Sequence, residues 1–251
     1  MSATHGTFVW YELMCADLPA ASAFYARLFG WRAAPAAGAD YTLIHAGAQP
    51  LGGMMMLTPA MRSAGARPGW LGYVEVDDLA LAVQRVLELG GHVHVPVTRA
   101  GEAGHFALAA DPLGALFYLF HSAQTPVPDF SMAPSRVAWR ELQSPDWERG
   151  FGFYQVLCGW ERGDLLAGDG RGTYQVIKTA GTAAGGTCTV AGLAQGRWRY
   201  YFAVENIDAG AARVREGGGQ VLEGPHPITG GMWILEATDP QGAGFALLGP
   251  R

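Results

Sequence analysis

The sequence has few charges. Asp, Glu, Lys and Arg make up 16% of its 251 residues, with a net charge of −5, where an average soluble domain has about 25%. A single lysine, Lys178, stands among 17 basic residues, and no run of like charge appears. The basic footprint of a nucleic-acid binder is therefore missing. No apolar run approaches the ~20 residues of a membrane-spanning helix. The opening MSATHGTFVWYELMCADLP has no basic residue and no long apolar core, so neither a secretory leader nor a membrane anchor is expected. Cysteine is scarce as well. Cys15, Cys158 and Cys188 are an odd number without metal-site spacing, which reads as free thiols in a reducing, cytoplasmic setting. Nucleophile elbows and P-loops are absent, and the glycine-rich AGDGRG and GTAAGG lack the strand-then-helix context of a dinucleotide site.

What the chain does have is enough apolar content for a core, at 49%, and a large internal duplication. VWYELMCADLPAASAFYARLFGW (9–31) aligns with AWRELQSPDWERGFGFYQVLCGW (138–160) at an offset of 129. Trp10, Glu12, Asp17, Phe24–Tyr25 and Gly30–Trp31 meet Trp139, Glu141, Asp146, Phe153–Tyr154 and Gly159–Trp160. At an offset of 128, WLGYVEVDDLALAVQRVLELGG (70–91) aligns with WRYYFAVENIDAGAARVREGGG (198–219), and FALAADPLGALFYL with ILEATDPQGAGFAL. Between these blocks YTLIHAG (41–47) pairs with YQVIKTAG (174–181), and Gly52–Gly53 with Gly185–Gly186.

Each quarter repeats one grammar. A β-like run ends at Asp or Asn, which caps a helix. Leu18, Ala21, Tyr25 and Leu28 form one apolar stripe, and Ile207, Ala211 and Val214 another. Gly30, Gly90, Gly159 and Gly217 are placed to close the helices in a left-handed turn. Three short β-like runs follow. The fold class is α+β: four βαβββ modules at 7–58, 69–122, 136–190 and 197–249, giving domains 1–123 and 136–251 joined by a proline-rich linker, 124–135.

Four such modules, with D-x-x-x-x-x-x-FY-x-x-x-x-GW after the first strand and GGMM…PGWLGYVEVDD…DPLGALF beyond it, resemble the vicinal oxygen chelate superfamily. That superfamily includes glyoxalase I, bleomycin-resistance proteins and extradiol dioxygenases. The resemblance covers roughly 7–122 and 136–249. It implies two tandem half-barrels around cavities, which in catalytic members hold a divalent metal on His and Glu. The matching first-strand positions here are Trp10, Leu71, Trp139 and Arg199, and the last-strand positions are Tyr118 and Ala246. None offers the imidazole or carboxylate that such metals need, so no metal and no cofactor is expected. His92 and His94 share a strand face but meet Gln220 and Leu222 in the duplicate.

The period-two alternation of strands then predicts what lines the cavities. Glu12 and Glu141 should point inward with Trp10 and Trp139, as should Leu71, Tyr73 and Glu75, and Arg199 and Tyr201. Met54 and Met56 are further lining candidates, because methionine adapts to apolar ligands. A carboxylate among such side chains is desolvated, which favours its neutral form and suits it to proton transfer. Arg199 is the expected partner of Glu141, which leaves Glu12 as the catalytic candidate. Three readings stay open. The first is a metal-free binder of a small apolar or aromatic molecule, similar to bleomycin-resistance proteins. The second is a metal-independent lyase or isomerase with Glu12 as base and Tyr73 or Tyr118 as oxyanion donor. The third is a metal-dependent glyoxalase or dioxygenase. The expected partner is a small molecule, with no nucleic acid and no membrane. One chain carries the four modules that two-module relatives assemble as dimers, so either a monomer or a homodimer fits.

Overall fold

Every module opens on a strand buried over most of its length and turns into a helix at a capping side chain. Asp17, Asp78, Asp146 and Asn206 accept from the backbone N–H of Ala20, Leu81, Arg149 and Ala209 at 2.9–3.1 Å. The computed structural model describes residues 2, 4–36, 41–124, 132–168 and 172–251. Of the proline-rich 124–135 stretch, 125–131 therefore lie outside the described residues.

The first half runs β1 (Phe8–Cys15), α1 (Leu18–Phe29), β2 (Arg32–Pro35), β3 (Thr42–Ala46), β4 (Gln49–Met56), a short α2 (Pro59–Ser63), β5 (Gly69–Glu75), α3 (Leu79–Glu88), β6 (His92–Arg99), β7 (Gly104–Ala110) and β8 (Leu116–Ser122). The second runs β9 (Val137–Ser144), α4 (Trp147–Cys158), β10 (Glu161–Gly168), β11 (Gly172–Thr179), β12 (Thr182–Thr189), β13 (Arg197–Ala203), α5 (Ile207–Glu216), β14 (Gln220–Pro227), β15 (Met232–Thr238) and β16 (Gly244–Pro250). The sheet orders are β2-β3-β4-β1-β5-β8-β7-β6 and β10-β11-β12-β9-β13-β16-β15-β14. Each half thus repeats βαβββ twice in one eight-stranded mixed sheet, with the first and last strands of every module paired in parallel.

Gly30 and Gly159 close their helices in the left-handed region, at φ 73° and 68°. In α5 the left-handed residue is Gly218 (φ 84°), one beyond the expected Gly217, which stays at φ −79°. Among the described residues no helix is long and apolar enough to cross a membrane. All three cysteines are free thiols, Cys15 and Cys158 buried and Cys188 half-buried.

Contacts gather the chain into two compact units that differ from its halves. The first holds residues 1–10, 72–129 and 139–198, and the second 11–71, 130–138 and 199–251. Each has an aromatic core built from the duplicated FY and GW pairs. In the second unit Tyr25 stacks on Trp31 at 5.7 Å and meets Trp70 and Phe245 edge-on. In the first, Tyr154 stacks on Trp160 at 4.8 Å and meets Trp198 and Phe117 edge-on. Each such ring removes on the order of 200 Å² from water, worth roughly 5 kcal/mol. The indole N–H groups are satisfied in the same way in both units, but the carboxylates are not. Trp70 Nε1 donates to the Tyr25 hydroxyl (2.9 Å), which donates to Asp239 (3.2 Å). Trp198 Nε1 donates to the Tyr154 hydroxyl (3.0 Å), while Asp111 takes backbone N–H groups on Oδ1 and leaves its buried Oδ2 without a partner among the described residues. Trp31 and Trp160 donate to the carbonyls of Ser135 and Gly6.

Candidate small-molecule site

The predicted site residues divide between the two units, and Met54 and Met56 lie apart from the rest, on the helix side. In the first unit β5 and β8 run in parallel with Tyr73 opposite Tyr118 and Glu75 opposite Phe120. The rings of Tyr73 and Tyr118 stack at 4.1 Å and 24°, with Phe106 edge-on to Tyr118 and Phe120 edge-on to Tyr73. Both tyrosines are buried. Glu75 is held at the end of this patch, where its carboxylate accepts from Ser122 N at 3.0 Å and Ser122 Oγ at 2.6 Å.

The same unit carries a second group on β9, β11 and β13. Trp139 Nε1 donates to the Tyr174 hydroxyl at 2.7 Å. Tyr174 hydrogen-bonds Glu141, which also accepts from Gln143 Nε2 at 2.9 Å. Gln143 Oε1 accepts from Arg197 Nε at 2.7 Å. Burial, and next the Glu141 charge, push the Tyr174 hydroxyl well above the usual tyrosine range, so it stays a proton donor to the carboxylate. Composition and motif reading pass over Tyr174, Gln143 and Arg197. Their signals were present: Tyr174 opens the block that pairs with Tyr41, and Gln143 lies two residues beyond Glu141.

The second unit holds the remaining candidates. Glu12 is buried and lies in register with Gly53 on the parallel β4. The hydroxyl and ring of Tyr41 lie over Gly53, as the Tyr174 ring in the first unit lies over Gly186. The methionine run divides differently from the expectation. Met54 is the register partner of Leu13, and its sulfur accepts from Ser22 Oγ of α1 at 3.6 Å, which places it on the helix side. Met56 shares that parity and is 56% exposed. Met55, not Met54 or Met56, therefore takes the side of Glu12.

Arg199 also departs from the expectation. Its Nη2 pairs with Glu236 on β15 at 3.1 Å, so its ion-pair partner is not Glu141. The guanidinium passes over Gly244, where any Cβ would strike it. Tyr201 is buried beside it in register with Ala246. Leu71 is buried at the end of the β5 segment that belongs to this unit. Trp10, on the first unit's part of β1, is half-buried.

Comparison with known proteins agrees with this architecture. The profile of the Glyoxalase/Bleomycin resistance protein/Dioxygenase superfamily matches residues 7–119. A Mycobacterium tuberculosis protein named "Putative glyoxylase CFP32" is 30% identical over 98% of this chain and 95% of its own. The anthracycline biosynthesis protein DauV of Streptomyces sp. strain C5 is 29% identical over 97% and 93%. Among solved structures, the Mn(II)-bound glyoxalase from Novosphingobium aromaticivorans superposes with a TM-score of 0.67 at 16% identity, covering 98% of this chain and 82% of that one. The 2,3-dioxygenase LapB from Pseudomonas sp. KL28 gives 0.65 at 14%, covering 98% and 93%. At such identities these two share the fold.

The donor set here does not fit a divalent ion of the kind the fold implies. At the positions where the resemblance implies metal donors stand Trp10, Leu71, Trp139, Arg199, Tyr118 and Ala246, and their indole, alkyl, guanidinium and phenol groups are poor ligands for hard or borderline metals. Among the described residues no three His, Cys, Asp or Glu converge to hold a metal.

Proposed function

Because the chain belongs to the Glyoxalase/Bleomycin resistance protein/Dioxygenase superfamily yet carries other side chains where metal donors would stand, we propose that it binds a small apolar or aromatic molecule without a metal. The observation that carries this reading is the stacked Tyr73–Tyr118 pair ringed by Phe106 and Phe120. Aromatic walls with a few fixed polar groups are what small-molecule sites are made of. Glu141, Trp139 and Tyr174 in the same unit supply such groups. Relatives named for anthracycline biosynthesis make a planar fused-ring compound a sensible probe.

Titration with a hydroxyanthraquinone, followed by quenching of tryptophan fluorescence, tests the reading. Saturable quenching is expected, with Tyr118→Ala weakening it roughly thirtyfold, as truncation of an aromatic anchor does. Unchanged affinity in Tyr118→Ala, or no saturation by planar aromatic probes, would sink it. Stoichiometric metal in the purified protein, measured by elemental mass spectrometry, would overturn its metal-free part.

A second reading rests on Glu12. The Tyr41 hydroxyl lies over Gly53, directly across the register from Glu12, which sets a phenol beside a buried carboxylate. As a proton-transfer enzyme, a lyase or isomerase, the protein would use Glu12 to take a proton from a bound carbonyl compound. Glu12→Gln would then abolish turnover and leave ligand affinity within about threefold. Turnover that survives the substitution would remove this reading and leave the binder untouched.

A further inference from the structure

The ends of β6, β7 and β8 in the first unit carry a row of basic side chains. Arg99 lies opposite His105, and His105 lies opposite His121. Residues directly opposite on antiparallel strands share a face, with Cβ atoms about 5 Å apart. Among the described residues no carboxylate forms an ion pair with Arg99, His105 or His121. Arg99 spends its Nε on the Gly101 carbonyl at 2.9 Å, which fixes the guanidinium beside the β6–β7 turn. His121 Nδ1 lies 2.9 Å from the Val76 carbonyl, and donation to that oxygen leaves Nε2 as the outward nitrogen.

These three side chains line one shallow cavity of about 420 Å³, together with Glu102, Gly104 and Ser122. The volume suits a small ligand. Gly104 forms its wall at φ 142°, with the His121 carbonyl packed where a Cβ would stand.

The duplicate shows that the fold does not demand this row. At the same register the second unit has Pro227 opposite Trp233 and Trp233 opposite Gly249. There the Arg251 guanidinium covers the Trp233 ring at 4.4 Å. One backbone arrangement thus holds three basic groups around an open cavity in one copy and a covered indole in the other.

We propose that this cavity binds a small anion, through a carboxylate or phosphate seated on Arg99, His105 and His121. Arg99 supplies a planar fork of donors matched to either group. Glu102 at the rim repels a second negative charge, so the rest of the ligand is neutral or carries a hydroxyl donor. The ligand class is therefore a small hydroxy acid or a phosphate monoester. The site adjoins the aromatic patch through Ser122, which also holds Glu75, but does not depend on the patch's function.

Isothermal titration with inorganic phosphate and with lactate, at constant ionic strength and pH, provides the test. One of the two should bind saturably, and which one distinguishes phosphate from carboxylate. Arg99→Gln and His105→Asn should each weaken it roughly tenfold or more, the loss of a charge-assisted hydrogen bond. Arg215→Gln, on the exposed face of α5, should leave it unchanged. Circular-dichroism melting checks that the variants fold, as the Pro227–Trp233–Gly249 row implies they will. The proposal fails if neither anion saturates by roughly 10 mM. It fails equally if Arg99→Gln binds as the parent does, or if Arg215→Gln weakens binding as much.

Discussion

Two buried tyrosines each accept from an indole N–H, and Tyr25 also donates to a buried carboxylate, so their hydroxyls help make burial of these neighbours tolerable. Replacing Tyr25 by Phe would leave Trp70 Nε1 without its acceptor and Asp239 without one donor. Tyr154→Phe would leave Trp198 Nε1 without its acceptor in the same way. A buried polar group stranded this way costs about 1–3 kcal/mol, so each substitution should lower unfolding stability by roughly 2 kcal/mol. Urea denaturation at neutral pH measures this, and losses below about 0.5 kcal/mol would show that the relays contribute little. The carboxylates add a pH dependence. Burial raises the Asp111 and Asp239 pKa values, against the lowering effect of backbone N–H groups from their own turns. An acid whose folded pKa is raised binds its proton more tightly when folded. Its stabilising contribution is complete below the unfolded value near 3.9 and is lost as pH rises through the folded value. Asp239→Asn keeps an oxygen for Gln241 N and Ala243 N and cannot ionise. Its stability relative to the parent should therefore rise between pH 4 and pH 7. A relative stability that falls over that interval would mean that the charged form is the favoured one.

At the level of strands, the paired glycines of β4 and β12 show why some chemistry was legible and some was not. Gly185 and Gly186 do different jobs. A Cβ at Gly185 would meet the backbone carbonyl of Arg140, and one at Gly186 would meet the Tyr174 ring. Backbone in a sheet cannot yield, whereas a half-buried ring turns. Gly185→Ala should therefore cost roughly 3 kcal/mol and Gly186→Ala roughly 1–2 kcal/mol. Gly186→Ala should also disturb the Trp139–Tyr174 bond, seen as a change in tryptophan emission that Gly185→Ala does not reproduce. The helices were readable because capping residues and apolar stripes are local: Asp17, Asp78, Asp146 and Asn206 all cap as their positions imply. The faces of the methionine run were not. Alternation says that Met54 and Met56 share a side, but the parallel register with β1, Glu12 against Gly53, decides which side. That register is a long-range pairing, and the glycines that carry it have no side chains to announce it. Arg199 misled for the same reason. Its partner Glu236 reaches it across β16, through pairings of Tyr201 with Ala246 and of Glu236 with Ala246, which no sequence spacing encodes.

For the whole molecule, the duplication predicted four modules and their order, and both appear, but sequence order does not reveal which modules share a core. The sheets follow the halves, whereas the compact units do not. Tyr25 and Phe24 of the first module meet Phe245 of the fourth at 5.9 and 6.1 Å, and Phe29 meets Phe202 at 5.2 Å. Phe117 of the second module packs on Tyr154 of the third at 5.2 Å. A fragment of residues 1–123 would therefore expose the aromatic faces that belong under modules three and four. Such surface is too large to leave in water, since each uncovered ring forfeits several kcal/mol against a net domain stability of about 5–15 kcal/mol. The fragment should not fold as a stable monomer. It should aggregate, or dimerise by using its own duplicate-like modules as the missing partners, and an equimolar mixture with 124–251 should recover a 1:1 complex. Size-exclusion chromatography with light scattering, read with near-ultraviolet circular dichroism, separates these states. A monomeric 1–123 fragment with native-like aromatic signals and cooperative melting would mean that each half is self-sufficient, and that the cores joining first to fourth and second to third modules are dispensable.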